Sequence, residues 1–126
     1  MKKQDIVEKM RRLALPKDMY WLTAGSGIVV HGLREETGDI DLGCTSQLAE
    51  ILIQQGANWQ YLADGTRRIC ISEDIEAFEN WFVDEIIQLD GLSVASLPSI
   101  RKQKIALNRK KDEADIRLID EFLRKI

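Results

Sequence analysis

From Ala24 to Leu42 the chain reads Ala-Gly-Ser-Gly-Ile-Val-Val-His-Gly-Leu-Arg-Glu-Glu-Thr-Gly-Asp-Ile-Asp-Leu. Its end, Asp39-Ile40-Asp41-Leu42, alternates polar and apolar with the period of a strand. On a strand, Asp39 and Asp41 project from one face about 7 Å apart, and Ile40 and Leu42 turn to the core. Two such charges repel by about 2 kcal/mol at an effective dielectric of 20. A wet surface tolerates that; so does a divalent cation held between the carboxylates, Mg²⁺ being the usual choice for oxygen donors shared with phosphates. Exposed strand edges also carry Asp-x-Asp pairs, so the pair alone decides nothing.

The start of the stretch adds a second cue. Met19 to Thr23 reads as a short strand, and Ala24-Gly25-Ser26-Gly27 breaks it. Ile28 to Leu33 is apolar nearly all round, which predicts a short buried helix. A glycine lets a ligand approach the backbone, and a serine hydroxyl with free amides at a helix start can hold a phosphate. An ordinary strand-turn-helix join has the same look. Residues 27–38 leave room for one helix and a return into an adjacent strand, which puts the Gly-Ser turn and both aspartates at one end.

Working outward, Ile6, Met10 and Leu13 recur at helical spacing, and Pro16 stops that pattern. After the aspartates, Ser46 is the expected N-cap of a helix with Leu48, Ile51 and Leu52 inward and Gly56 at its end. Short strands are predicted over 59–62, 68–72, 74–78, 86–89 and 92–95, with Asp64-Gly65 and Asp90-Gly91 as turns. Two helices close the chain over 97–126. Leu97, Ile100 and Leu107 mark the first; Ile116, Ile119, Leu123 and Ile126 mark the second. The expected fold is α/β (α+β), a mixed sheet packed by helices, with 1–126 forming a single domain.

Composition narrows the function. At 126 residues, 44% hydrophobic and 31% charged, the balance is that of a globular domain. No apolar run is long enough for a membrane span, and Met1 to Ile6 lacks the apolar core of a signal peptide. Cytoplasmic residence is the default expectation. Cys44 and Cys70 have no framework or zinc spacing and read as structural. The net charge of −3 speaks against tight nonspecific nucleic-acid binding. Residues 101–111 nevertheless hold six basic and no acidic residues, either a solvated helix face or a local anion site.

Taken together, Ala24-Gly25-Ser26 followed by Asp39-Ile40-Asp41-Leu42 resembles the signature of the DNA polymerase beta-like nucleotidyltransferase superfamily. It resembles most the small, minimal nucleotidyltransferase domains of that superfamily, and the likeness spans nearly the whole chain. The tail, Lys104 and then Arg109-Lys110-Lys111-Asp112 to Asp115-Ile116, is similar to a lysine-then-Arg-x-Lys-Asp-x-x-Asp-Ile pattern near the end of many such domains. The resemblance implies a triphosphate gripped at Gly25 and Ser26, and two Mg²⁺ ions on Asp39, Asp41 and a third carboxylate. Glu76 matches that third position best, between Ile75 and Ala77, with Asp74 the alternative on the same strand face; the family commonly has aspartate there.

The same resemblance places Lys104 near the phosphates, although a lysine on an apolar stripe also snorkels. It implies transfer of a nucleoside monophosphate from a nucleoside triphosphate, ATP foremost, to a hydroxyl of a small molecule such as an antibiotic or of a partner protein. Nucleic acid is a less favoured acceptor. With only the catalytic core present, a homo-oligomer or partner protein is expected to help hold the acceptor. The alternative is a nucleotide-binding regulatory module, weak or inactive in catalysis, acting with a partner. His31 reads as a packed or capped core histidine, and Trp59, Tyr61 and Trp81 as core aromatics rather than base-stacking residues.

Overall fold

The computed structural model describes residues 1–125, so Ile126, placed above on the last helix, lies outside the described residues. In chain order the elements are α1 (Lys3–Leu13), β1 (Tyr20–Thr23), α2 (Ala24–Val30), β2 (Ile40–Cys44), α3 (Ser46–Gln54) and β3 (Asn58–Tyr61). There follow β4 (Arg67–Ser72), β5 (Ile75–Glu79), β6 (Ile86–Leu89), β7 (Leu92–Ala95), α4 (Leu97–Leu107) and, after a 3-10 turn at Lys110–Asp112, α5 (Glu113–Arg124). The seven strands form one mixed sheet in the order β3-β4-β5-β2-β1-β7-β6. β1 runs parallel to β7 and β2 parallel to β5, while the remaining neighbours are antiparallel. This is the mixed α/β sheet with flanking helices that the strand and helix periodicities predict.

Alternation along the central strands sorts residues between two cores. Tyr20, Leu22, Ile40, Leu42, Cys44, Ile75 and Ala77 turn to one face, where Ile6 and Met10 of α1, Val29 and Val30 of α2 and Leu48 and Leu52 of α3 cover them. On the other face Trp21 packs with Ile28, Ala95, Leu97, Ile100 and Ile119, so α4 and α5 cover that side. Thr23 pairs with Asp41, Trp21 with Gly43, and Asp41 in turn with Glu76. Period-two alternation therefore sets Thr23, Asp41 and Glu76 on the Trp21 face, at the end next to α4.

Gly43 is required there by contact. A methyl group on it would overlap Nε1 and Cε2 of the buried Trp21 indole, which has little room to yield. Gly43→Ala is expected to cost about 1–3 kcal/mol, the usual range for overpacking a core. Thermal melts of the two proteins check this; an unchanged melting temperature would mean that the indole moves freely.

Three local expectations need correction. α2 begins at Ala24, not at Ile28, so Gly25 and Ser26 lie within its first turn; Ala24 itself has φ 52°, a left-handed kink that turns the strand into the helix. Thr45, not Ser46, caps α3, because Thr45 keeps an extended backbone at the strand end and its hydroxyl accepts from the Leu48 amide at 3.2 Å. Trp59 and Tyr61 are not core: β3 is the sheet edge and no helix among the described residues covers it, leaving them 41% and 67% exposed. No helix among the described residues is long and apolar enough to cross a membrane.

Candidate active site

The corner between β1 and α2 is tied down from within. Ser26 is buried, and its single hydroxyl proton is shared between the carbonyl of Thr23 at 2.9 Å and that of Asp41 at 3.2 Å. In this arrangement the hydroxyl fastens the corner to β2 and does not face the cleft. Gly25 does line the cleft. The loop before β2 folds back so closely that a side chain at Gly25 would come within 2.8 Å of Thr37 Oγ1 and 3.2 Å of Arg34. The glycine is thus required by the approach of Thr37 and Arg34 from its own chain.

The cleft measures about 840 Å³, and Gly25, Arg34, Asp39, Asp41, Lys104 and Arg109 are among its walls. Asp39 immediately precedes β2 and is exposed; Asp41 is half-buried within the strand. Neither carboxylate has an ion pair or side-chain hydrogen bond among the described residues. Burial pushes the Asp41 carboxyl up to about 6, with Asp39 and then Glu76 adding to the rise, against Arg68 and Arg109. Asp39→Asn is expected to bring that value down part of the way, since burial persists. A carbon-13 titration of the Asp41 carboxyl would read the change, and an unaltered midpoint would show that the two acids do not sense each other.

Glu76 lies opposite Asp41 in the parallel β2–β5 ladder, but its carboxylate is ion-paired to Arg68 of β4. Asp74 is bound to Lys9 of α1, and it accepts from Ser72 Oγ at 2.9 Å. Among the described residues, no group of three or more histidine, cysteine, aspartate or glutamate side chains is arranged to hold a metal ion. The donor set still fits a hard divalent cation in part. Two carboxylates without a direct ion-pair partner, one with a raised pKa, form a negative site that Arg68 and Arg109 offset only from a distance. Glu76 joins them only if Arg68 lets go.

Lys104 reaches the same cleft as a buried cation. Its ammonium lies 2.8 Å from Asp112 and 3.3 Å from Asp115, and the lysine and Asp112 side chains are 5% and 4% exposed. Arg109 donates to Asp112 at 2.7 Å, and Arg34 approaches Asp115 at 3.4 Å. Burial works to raise the Asp112 carboxyl, but Arg109 and Lys104 outweigh it and hold the group below its usual range. The network joins α4, the 3-10 turn, α5 and the loop carrying Arg34.

Several residues at the cleft escaped the sequence reading. Arg34 lies in a polar loop with no pattern to flag it. Asp112 and Asp115 are legible as the aspartates of the tail pattern, and their shared approach to Lys104 shows what they contact. Trp81, expected in the core, instead lines the cleft with Phe78 and Phe82, the Phe78 and Trp81 ring centres lying 4.5 Å apart. Away from the cleft, His31 ends α2 with Nε2 2.8 Å from the Ala95 carbonyl, and burial lowers its pKa. Cys44 and Cys70 are free thiols; burial pushes that of Cys44 up to about 12, which keeps it unreactive at neutral pH.

No family model matches this sequence, and no curated protein matches it. In structure it is similar to ANT(2'')-Ia, solved by crystallography in complex with adenylyl-2''-tobramycin. That likeness has a TM-score of 0.58 at 18% sequence identity and covers 95% of this chain and 86% of the other. The chain has a nucleotidyltransferase-type fold. At that identity the likeness is one of backbone architecture, and the chemistry must be argued from the side chains just described.

Proposed function

We propose that this protein transfers a nucleoside monophosphate from a nucleoside triphosphate to a hydroxyl acceptor in a Mg²⁺-dependent reaction. One observation carries the reading: Asp39 and Asp41, both without an ion pair or side-chain hydrogen bond among the described residues, line the same cleft as Gly25. The structural neighbour supports the reaction type, because its crystal holds an adenylyl group joined to tobramycin. Asp39 and Asp41 are the residues that would hold the cation, which supplies positive charge against the triphosphate and the acceptor oxygen.

The remaining work falls to the chain. Gly25 lines the wall along which the phosphates would lie, and Arg34 and Arg109 supply positive charge on the same wall. In the transfer, the acceptor oxygen bonds to the α-phosphorus while the bond to the departing pyrophosphate breaks. The hydroxyl proton needs a base, and we assign that role to Glu76, which the resemblance gives as the third metal carboxylate and which Arg68 would first have to release. The acceptor belongs to the same proposal: a small molecule first, with a partner protein as the other option, and cytoplasmic residence assumed.

Pyrophosphate release tests the proposal, run with each nucleoside triphosphate, with and without Mg²⁺, across aminoglycoside, lincosamide and protein hydroxyl acceptors. Mg²⁺-dependent release with at least one pair is the expected result; no release and no nucleotide binding would overturn it. The Arg68–Glu76 pair and the inward Ser26 hydroxyl favour a second reading, a nucleotide-binding module that regulates a partner protein. Tight nucleotide binding with no turnover, even after Arg68→Ala frees Glu76, would select that reading.

A further inference from the structure

The sheet ends in two edge strands, β3 and β6, and they are guarded differently. β6 is bracketed by Asp84, Glu85 and Asp90, charged residues of the sort that keep an edge from pairing with another chain. β3, Asn58-Trp59-Gln60-Tyr61, carries no charge and no proline, and all four residues are exposed. The hairpin fixes which of its backbone groups face outward. The Leu62 amide donates to the Thr66 carbonyl at 2.8 Å, and the β3–β4 register continues from that pair. Antiparallel alternation therefore turns the N–H and C=O of Asn58 and Gln60 toward β4, and those of Trp59 and Tyr61 out of the sheet. The Trp59 and Tyr61 rings share a face, their centres 4.9 Å apart edge-to-face. An open, unguarded edge with two exposed aromatics is a template for another strand.

We infer that β3 pairs antiparallel with β3 of a second copy of this chain, about a two-fold axis at Gln60. The strand is complementary to itself in that register. Trp59 stands opposite Tyr61 of the second copy and Tyr61 opposite its Trp59, so the outward N–H and C=O groups of these residues satisfy one another. Opposed side chains share a face, and the two edge-to-face pairs become one row of four rings. That row lies on the face of Ile69, which belongs to the core under α1 to α3. Gln60 lies on the other face, beside Arg68, and meets Gln60 of the second copy with no charge against charge. The same operation at β6 would bring Asp84 and Glu85 of one copy toward Asp90 of the other. The sheet then runs unbroken through both copies, with Asp41 of each on the same face. β3 has four residues, against about 20–30 a side in a standard interface, so the association is weak and grows with concentration. It does not depend on the nucleotide reading.

Sedimentation of the full chain over a concentration series tests the pairing, together with hydrogen exchange at the two ends of that series. The mass should rise from monomer toward dimer, and the amides of Trp59 and Tyr61 should become protected as it does. Gln60→Lys, at an exposed edge position, sets like charges across a pair whose Cα atoms are about 4.5 Å apart. It should raise the dissociation constant about tenfold or more, and Gln60→Glu should do the same. An equal mixture of the two variants should dimerise at least as well as the parent, because the central pair is then of opposite charge. A parent that stays monomeric throughout overturns the inference. So does a dimer in which the Trp59 and Tyr61 amides exchange as fast as in dilute solution, or one that neither charge at position 60 weakens.

Discussion

Asp41→Asn is expected to lower Mg²⁺-dependent nucleotidyl transfer by about 10³-fold or more, because it removes half of the unpartnered carboxylate pair on which a cation would sit. The same substitution should make the metal-free protein more stable. The Asp41 carboxyl rises from 3.8 to about 6 on folding, so the folded chain prefers it protonated. Stability from that preference is full below about pH 4 and is lost as pH rises through about 6. Above pH 6 the charged group is a burden, and asparagine relieves it by about 1–2 kcal/mol once partial exposure is allowed for. Melting curves across pH should therefore separate the two proteins at pH 7–8 and bring them together near pH 4. An inactive variant that is also less stable at neutral pH would mean that the acid is structural.

The second large effect is at Lys104. Lys104→Met leaves the buried Asp112 and the partly buried Asp115 beside a neutral side chain, and removing one member of a buried ion pair costs about 3–5 kcal/mol. Because Arg109 and Arg34 remain as partners, about 3 kcal/mol is expected. Urea unfolding would measure it. Lys104→Met combined with Asp112→Leu should recover much of the loss, as a buried pair replaced by apolar groups is close to neutral. If Lys104→Met is as stable as the parent and only nucleotide affinity falls, the lysine serves the phosphates directly, as the family resemblance implies.

Much of the fold was legible because its strands carry simple periodicities. Asp39 to Leu42 alternates, and the structure buries Ile40 and Leu42 completely while leaving the aspartates toward the cleft. Local rules failed where tertiary context decides. The aromatic content of β3 suggests core, yet an edge strand leaves Trp59 and Tyr61 in solvent. Ser26 carries the residue type of a phosphate loop, and only the approach of Asp41's carbonyl shows that its hydroxyl is spent. Arg68 stands opposite Phe78 and reaches Glu76 diagonally across the β4–β5 pair, so their partnership is invisible until register is fixed. The Lys104 network likewise joins residues on three elements, and no spacing rule links them to Arg34.

The central claim is that Asp39 and Asp41 together hold a divalent cation that carries a nucleoside triphosphate. Paramagnetic resonance of Mn²⁺, titrated into the protein with and without ATP, measures it most directly. The account predicts that ATP tightens Mn²⁺ binding to the parent protein and that Asp39→Asn and Asp41→Asn each abolish that gain while remaining folded. Mn²⁺ bound equally well by the parent and both variants would contradict it.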